Sequence, residues 1–107
     1  MSDDVTELND ENFEEMTSKG KWVIDFWAAW CGPCRMMAPY FEAAAKEMKG
    51  KVNFGKVDVE SNPQISERFQ IMSIPTLIVF DKGEQINRAS GAMPKDEILS
   101  LIEDSNQ

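Results

Sequence analysis

Between positions 22 and 59 the chain changes its hydrophobic period twice, and this change restricts the fold more than anything else in the sequence. Residues 22–27 form a short apolar, aromatic run broken only by Asp25, whose length and content specify a buried strand rather than a helix. From Pro33 to Met48 the apolar residues fall at helical spacing: Met37, Phe41, Ala44 or Ala45, and Met48 share one face, and Glu42 stands four residues before Lys46. Gly50 closes this helix, and Pro39 inside it removes the bond to the Arg35 carbonyl and predicts a bend. Residues 52–59 return to a strand pattern. Strand, helix and strand in close succession predict a right-handed parallel crossover.

The flanking segments complete the pattern. Asn9 reads as the N-cap of a first helix with Asp10 and Glu11 in its first turn, Leu8 stapled to Phe13, and Gly20 at its end. Asn62 with Pro63 at the first helical position starts a short helix that turns Ile65 and Phe69 inward. Residues 76–80, a turn at Asp81-Lys82-Gly83 and residues 84–89 make a hairpin. A last helix starting near Pro94 packs Ile98, Leu101 and Ile102, and a weak extra strand fits residues 5–7. The expected fold class is α/β, a mixed sheet of four to five strands flanked by helices on both faces. At 107 residues, with no repeat or linker-like stretch, residues 1–107 are expected to form a single domain around one core.

Composition removes several chemistries. The chain has no histidine, so Ser/His or Cys/His nucleophile pairs, histidine metal ligands and a histidine pH switch are excluded. A net charge of -8 argues against nucleic acid and anionic membrane surfaces, both of which require a basic footprint. Most of that charge belongs to residues 1–20, where Asp3, Asp4, Glu7, Asp10, Glu11, Glu14 and Glu15 face only Lys19. The start Met-Ser-Asp-Asp lacks the basic and apolar regions of a secretory signal, and no apolar stretch is long enough to span a bilayer. A cytoplasmic protein with reduced thiols is expected.

The two cysteines, Cys31 and Cys34, lie where the first long strand ends and its crossover helix begins. In open α/β sheets, ligands and chemistry gather at that end of the strands. At a helix start, Cys31 meets the positive end of the helix dipole and free backbone N–H groups, which favour thiolate and mark it as a nucleophile. Cys34, three residues on, shares the same face of the first turn and falls within disulfide range. Closing so small a loop adds only about 2 kcal/mol of stability, against ~4.7 kcal/mol for a 100-residue loop, which suits a bridge that opens and closes better than a staple. Zinc or iron–sulfur binding would require ligands from a second chain, haem attachment would require histidine where Arg35 stands, and two ordinary buried thiols remain a further reading.

Asp25 is unusual in a strand. It either faces solvent on an edge strand or is buried with a raised pKa; Val23 and Trp27 on the same face favour burial. A carboxyl below the cysteine pair could take the Cys34 proton when that thiol attacks and return it later. Lys56 on the next strand is either its charge neighbour or simply solvated. Pro75 begins a strand, where trans is the default for the Ile74–Pro75 bond.

With these residues in place, the chain resembles the thioredoxin family over nearly its whole length. The resemblance rests on Asp25-Phe-Trp-Ala-Ala-Trp-Cys-Gly-Pro-Cys-Arg, the Met37-Ala-Pro stretch, Lys56-Val-Asp-Val, Ile74-Pro-Thr-Leu, Phe80 with Gly83, and Gly91-Ala92. It implies a thiol-disulfide oxidoreductase that reduces protein disulfides, with Cys31 as nucleophile, Cys34 as resolving thiol and Asp25 as proton acceptor and donor. It also implies a cis Pro75 facing the cysteines, the Ile74 backbone presented to an extended substrate segment, and a shallow groove lined by Trp30, Gly32, Pro33, Ile74, Gly91 and Ala92. Gly32 and Pro33, with Lys56 near Asp25, would tune the redox pair, and Gly32-Pro33 resembles the reducing members of the family. No bound cofactor or metal is implied; electrons would come from a separate thioredoxin reductase, and the protein would act as a monomer on disulfide-containing proteins. A disulfide oxidase or isomerase, or a non-catalytic thioredoxin-like binding module, is the alternative. Ser90 and Met72 depart from the family pattern beside the groove, and Pro94 replaces a common Ser or Thr N-cap.

Overall fold

The computed structural model describes residues 4–105; Asp3 of the acidic segment and the two ends of the 1–107 span lie outside the described residues. Along the chain run β1 (Val5–Leu8), α1 (Phe13–Thr17), β2 (Lys21–Trp27), α2 (Gly32–Glu47), β3 (Asn53–Asp58), α3 (Pro63–Arg68), β4 (Thr76–Asp81), β5 (Glu84–Ser90) and α4 (Lys95–Asp104). The five strands form one sheet in the order β1-β3-β2-β4-β5. The α2 crossover makes β2 and β3 parallel, β1 joins parallel to β3, and β4 and β5 are antiparallel. The β4–β5 hairpin closes through Lys82 and Gly83, both at positive φ (52° and 86°), as a two-residue turn matching strand twist requires.

Alternation along β2 distributes the core. Trp22, Ile24 and Phe26 pack with Leu8, Val57, Ile78 and Phe80 against Phe13 of α1 and Ile65 of α3. Val23 packs on the opposite face with Phe54, Leu77 and Val79 against Met37, Phe41, Ala44 and Ala45 of α2 and Ile98 and Ile102 of α4. The expected α/β architecture with helices on both faces is thereby observed, with five strands. Among the described residues, no helix is long and apolar enough to cross a membrane.

Two helix starts differ from expectation. The side chain of Asn9 does cap, accepting from the N–H groups of Glu11 and Asn12 at 2.9 and 2.8 Å, but residues 10–12 form a turn and regular helix begins only at Phe13. Asp10 therefore lies outside α1. Its carboxylate instead accepts from the N–H groups of Gln64 and Ile65 at 3.4 and 3.0 Å, capping α3. Asn62 occupies the α3 cap position but makes no capping bond of its own; it accepts from the Asp10 N–H and donates to the Asp58 carbonyl, both at 3.0 Å.

Candidate active site

The site is assembled where β2 runs out. After Trp27, Ala28 is buried, and its carbonyl accepts from the Cys31 N–H at 3.1 Å, turning the chain into α2. Cys31 is the N-cap of α2, with extended backbone (φ -86°, ψ 111°), and its Sγ accepts from the Cys34 N–H at 3.2 Å. A helix N-terminus and an amide aimed at sulfur both favour negative charge on Cys31. The two cysteines stand at disulfide distance with Cα atoms 5.3 Å apart. Both are buried, packed with Ala28 against the half-buried Trp27, Val59 and Ile74. Gly32 and Pro33 form the exposed first turn between them, where a missing proline N–H leaves no donor unused.

Above the pair, the Ile74–Pro75 peptide is cis, and the Ile74 carbonyl oxygen lies 3.8 Å from Cys31 Sγ. The Gly91 N–H donates to the Pro75 carbonyl at 2.8 Å, bringing the end of β5 beside this loop. Trp30 is 65% exposed, a large area for an indole. Gly91 and Ala92 are exposed, Ile74 is half-buried and Pro75 is buried. Met72, one of the departures from the family pattern, is 91% exposed.

Below the pair, Asp25 lies on β2 between Lys56 of β3 and Leu77 of β4. It is 5% exposed, so the edge-strand reading of this residue does not apply. Its Oδ1 has no hydrogen-bond partner among the described residues. Burial pushes the carboxyl up to about 7, and the Lys56 ammonium opposes that rise. Lys56 is half-buried rather than fully solvated, its Nζ held 5.1 Å from the centre of the Trp27 ring. A cavity of about 90 Å³ joins Asp25 to Cys34. That volume is large enough for water, and Asp25 and Lys56 supply polar partners.

The same cavity is lined by Arg35, Ala38 and Glu42 of α2, to which the sequence alone assigns no role in the site. Their signal is present in the helical period: Ala38 and Glu42 stand four and eight residues after Cys34, so they continue its face.

Comparison with known proteins agrees with this arrangement. The thioredoxin family model matches residues 4–104. A thioredoxin of Staphylococcus saprophyticus is 43% identical over 99 residues, covering 92% of this chain and 95% of the relative. Thioredoxins of Staphylococcus haemolyticus and Staphylococcus aureus are 41% and 37% identical over the same coverage. A Trp-Cys-Gly-Pro-Cys turn at disulfide distance on a five-stranded mixed sheet, matched along nearly all its length, means that the chain belongs to the thioredoxin family and is a thiol-disulfide oxidoreductase that reduces protein disulfides.

Proposed function

We propose a division of labour in that reaction, carried chiefly by the Cys31–Cys34 pair at the α2 cap with the buried Asp25 beneath it. The Cys31 thiolate attacks one sulfur of a substrate disulfide; that S–S bond breaks, a mixed disulfide forms, and the departing substrate thiolate takes up a proton. Asp25, near neutrality in its pKa, takes the proton of Cys34 across the cavity. The Cys34 thiolate then attacks Cys31 Sγ; the mixed disulfide breaks, the second substrate sulfur leaves as a thiolate that takes up the proton held by Asp25, and the Cys31–Cys34 disulfide remains. Two electrons have moved from the dithiol to the substrate, and a separate thioredoxin reductase returns them.

Gly32 and Pro33 tune the pair by fixing the first turn of α2, and Lys56 does so by opposing the rise in the Asp25 pKa. Trp30, Ile74, Pro75, Gly91 and Ala92 make the groove that receives an extended segment of the substrate, pairing with the Ile74 backbone. The protein works as a monomer and as a single domain, in the reducing environment of the cytoplasm. The expected result in an insulin-disulfide reduction assay is multiple turnovers when NADPH and a thioredoxin reductase are supplied, and none when the reductase is omitted. Absence of turnover with every class of reductase, flavin-dependent or ferredoxin-dependent, would count against the proposal.

A further inference from the structure

We propose that Ser90 is a positioning residue for the substrate groove, its hydroxyl fastening the end of β5 to the Pro75 loop. The inference rests on the assignment of that groove and concerns how it is held in shape.

Thr76 and Ser90 are register partners where β4 and β5 meet the loops of the site. The Thr76 hydroxyl donates to the Ser73 carbonyl at 2.6 Å. It also lies 3.2 Å from the Ser90 hydroxyl. A threonine hydroxyl carries one proton, and here the short contact to Ser73 uses it. Ser90 is therefore the donor to Thr76 Oγ1, and the direction of the relay is fixed: Ser90 to Thr76 to the Ser73 carbonyl. Each bond in such a chain polarises the next.

The relay runs beside the Gly91 N–H bond to the Pro75 carbonyl, so two links, one through side chains and one through backbone, join the two walls of the groove. The side-chain link matters because the chain loses its regular structure directly after Ser90. Gly91 sits at φ +98°, a conformation that glycine adopts freely, and no helix or strand resumes until Lys95. Ser90 is the last strand residue before that freedom begins. A β-branched apolar residue here would favour the strand but could not donate, leaving the buried Thr76 oxygen without the Ser90 proton.

The test compares Ser90→Ala, Ser90→Val and Ser90→Thr in steady-state reduction of insulin and of a small aromatic disulfide that makes no use of the groove, with amide exchange at Gly91 as a second readout. Ser90→Ala and Ser90→Val are expected to raise KM for insulin about 2- to 10-fold, the weight of one neutral hydrogen bond, with kcat within about 2-fold. Gly91 exchange should quicken, Ser90→Thr should behave as the parent, and the rate with the small disulfide should not change. Unchanged KM and exchange in Ser90→Ala, an equally impaired Ser90→Thr, or equal slowing on both substrates would overturn the proposal. Failure of the reductase reading itself looks different: the parent protein would then reduce neither substrate.

Discussion

Replacing Cys31 with Ser should lower protein-disulfide reduction at least ~10³-fold, and replacing Cys34 should be as damaging to turnover for a different reason. Cys31 is the sulfur favoured as thiolate by the α2 N-terminus and the Cys34 N–H, so a serine in its place leaves no nucleophile. Cys34 is buried as Cys31 is, but it lines the inner cavity with Asp25 rather than capping α2, and it stands at bonding distance from Cys31. Cys34→Ser should therefore still attack substrates and then remain joined to them. Mass spectrometry of each reduced variant mixed with disulfide-bonded insulin should find a mixed disulfide through Cys31 in Cys34→Ser and no adduct in Cys31→Ser. Because the two sulfurs act as a unit, the double variant should lose no more than either single one. Adducts forming through Cys34 in the Cys31 variant would reverse the assignment.

Asp25→Asn should make the protein more stable at pH 8 and a poorer enzyme. The folded-state pKa is about 7 against an ordinary value of 3.8, and burial is the cause. Below about pH 4 the carboxyl is protonated in both folded and unfolded chains, and the stability it permits is fully present. As pH rises towards 7, the unfolded chain has already released its proton while the folded chain retains it, so stability declines through this window. Above 7 both are ionised, and the buried charge costs roughly 4 kcal/mol. Asparagine avoids that cost, although an imperfectly bonded buried amide returns about 1–3 kcal/mol of it. A net gain of about 1–3 kcal/mol is expected in urea unfolding of the oxidised form at pH 8, with no gain at pH 4. A gain equal at both pH values would show that ionisation is not its source. Kinetically, the variant should form the mixed disulfide at nearly the parent rate and resolve it more slowly, since only the second step requires the Cys34 proton to leave. Equal slowing of both steps would remove Asp25 from proton transfer.

Period and turn chemistry made most of the architecture legible. The switch from strand to helix spacing at Cys31, and back after Gly50, marks β2, α2 and β3 to within a residue or two, because an aromatic run and a three-to-four-residue apolar repeat have few other solutions. Strand order was not legible: nothing local in β1 says that it pairs with β3 at the sheet edge. The capping of α3 escapes a local reading for the same reason. Asn62 has the right type and place, but Asp10, 55 residues away from Ile65, supplies the carboxylate once the fold brings it near.

The site divides along the same line. The cysteine pair is a local feature, evident from its spacing. Asp25 stands out as an anomaly whose burial the sequence leaves undecided, since which face of β2 is covered depends on α2 packing over it. Arg35, Ala38 and Glu42 become part of the site only through the cavity under that helix. The Ser90–Thr76 relay depends on a cross-strand register that the β4–β5 bulge at Val79 and Phe80 shifts, so residue spacing alone could not have paired them.

The most direct measurement is the reduction potential of the Cys31–Cys34 couple, equilibrated against glutathione or a reference thioredoxin. A protein-disulfide reductase should lie near the ~-270 mV characteristic of the reducing members of its family, below the ~-220 to -260 mV glutathione poise obtained by cell extraction. A value near ~-120 to -180 mV, the range of disulfide oxidases and isomerases, would contradict the account.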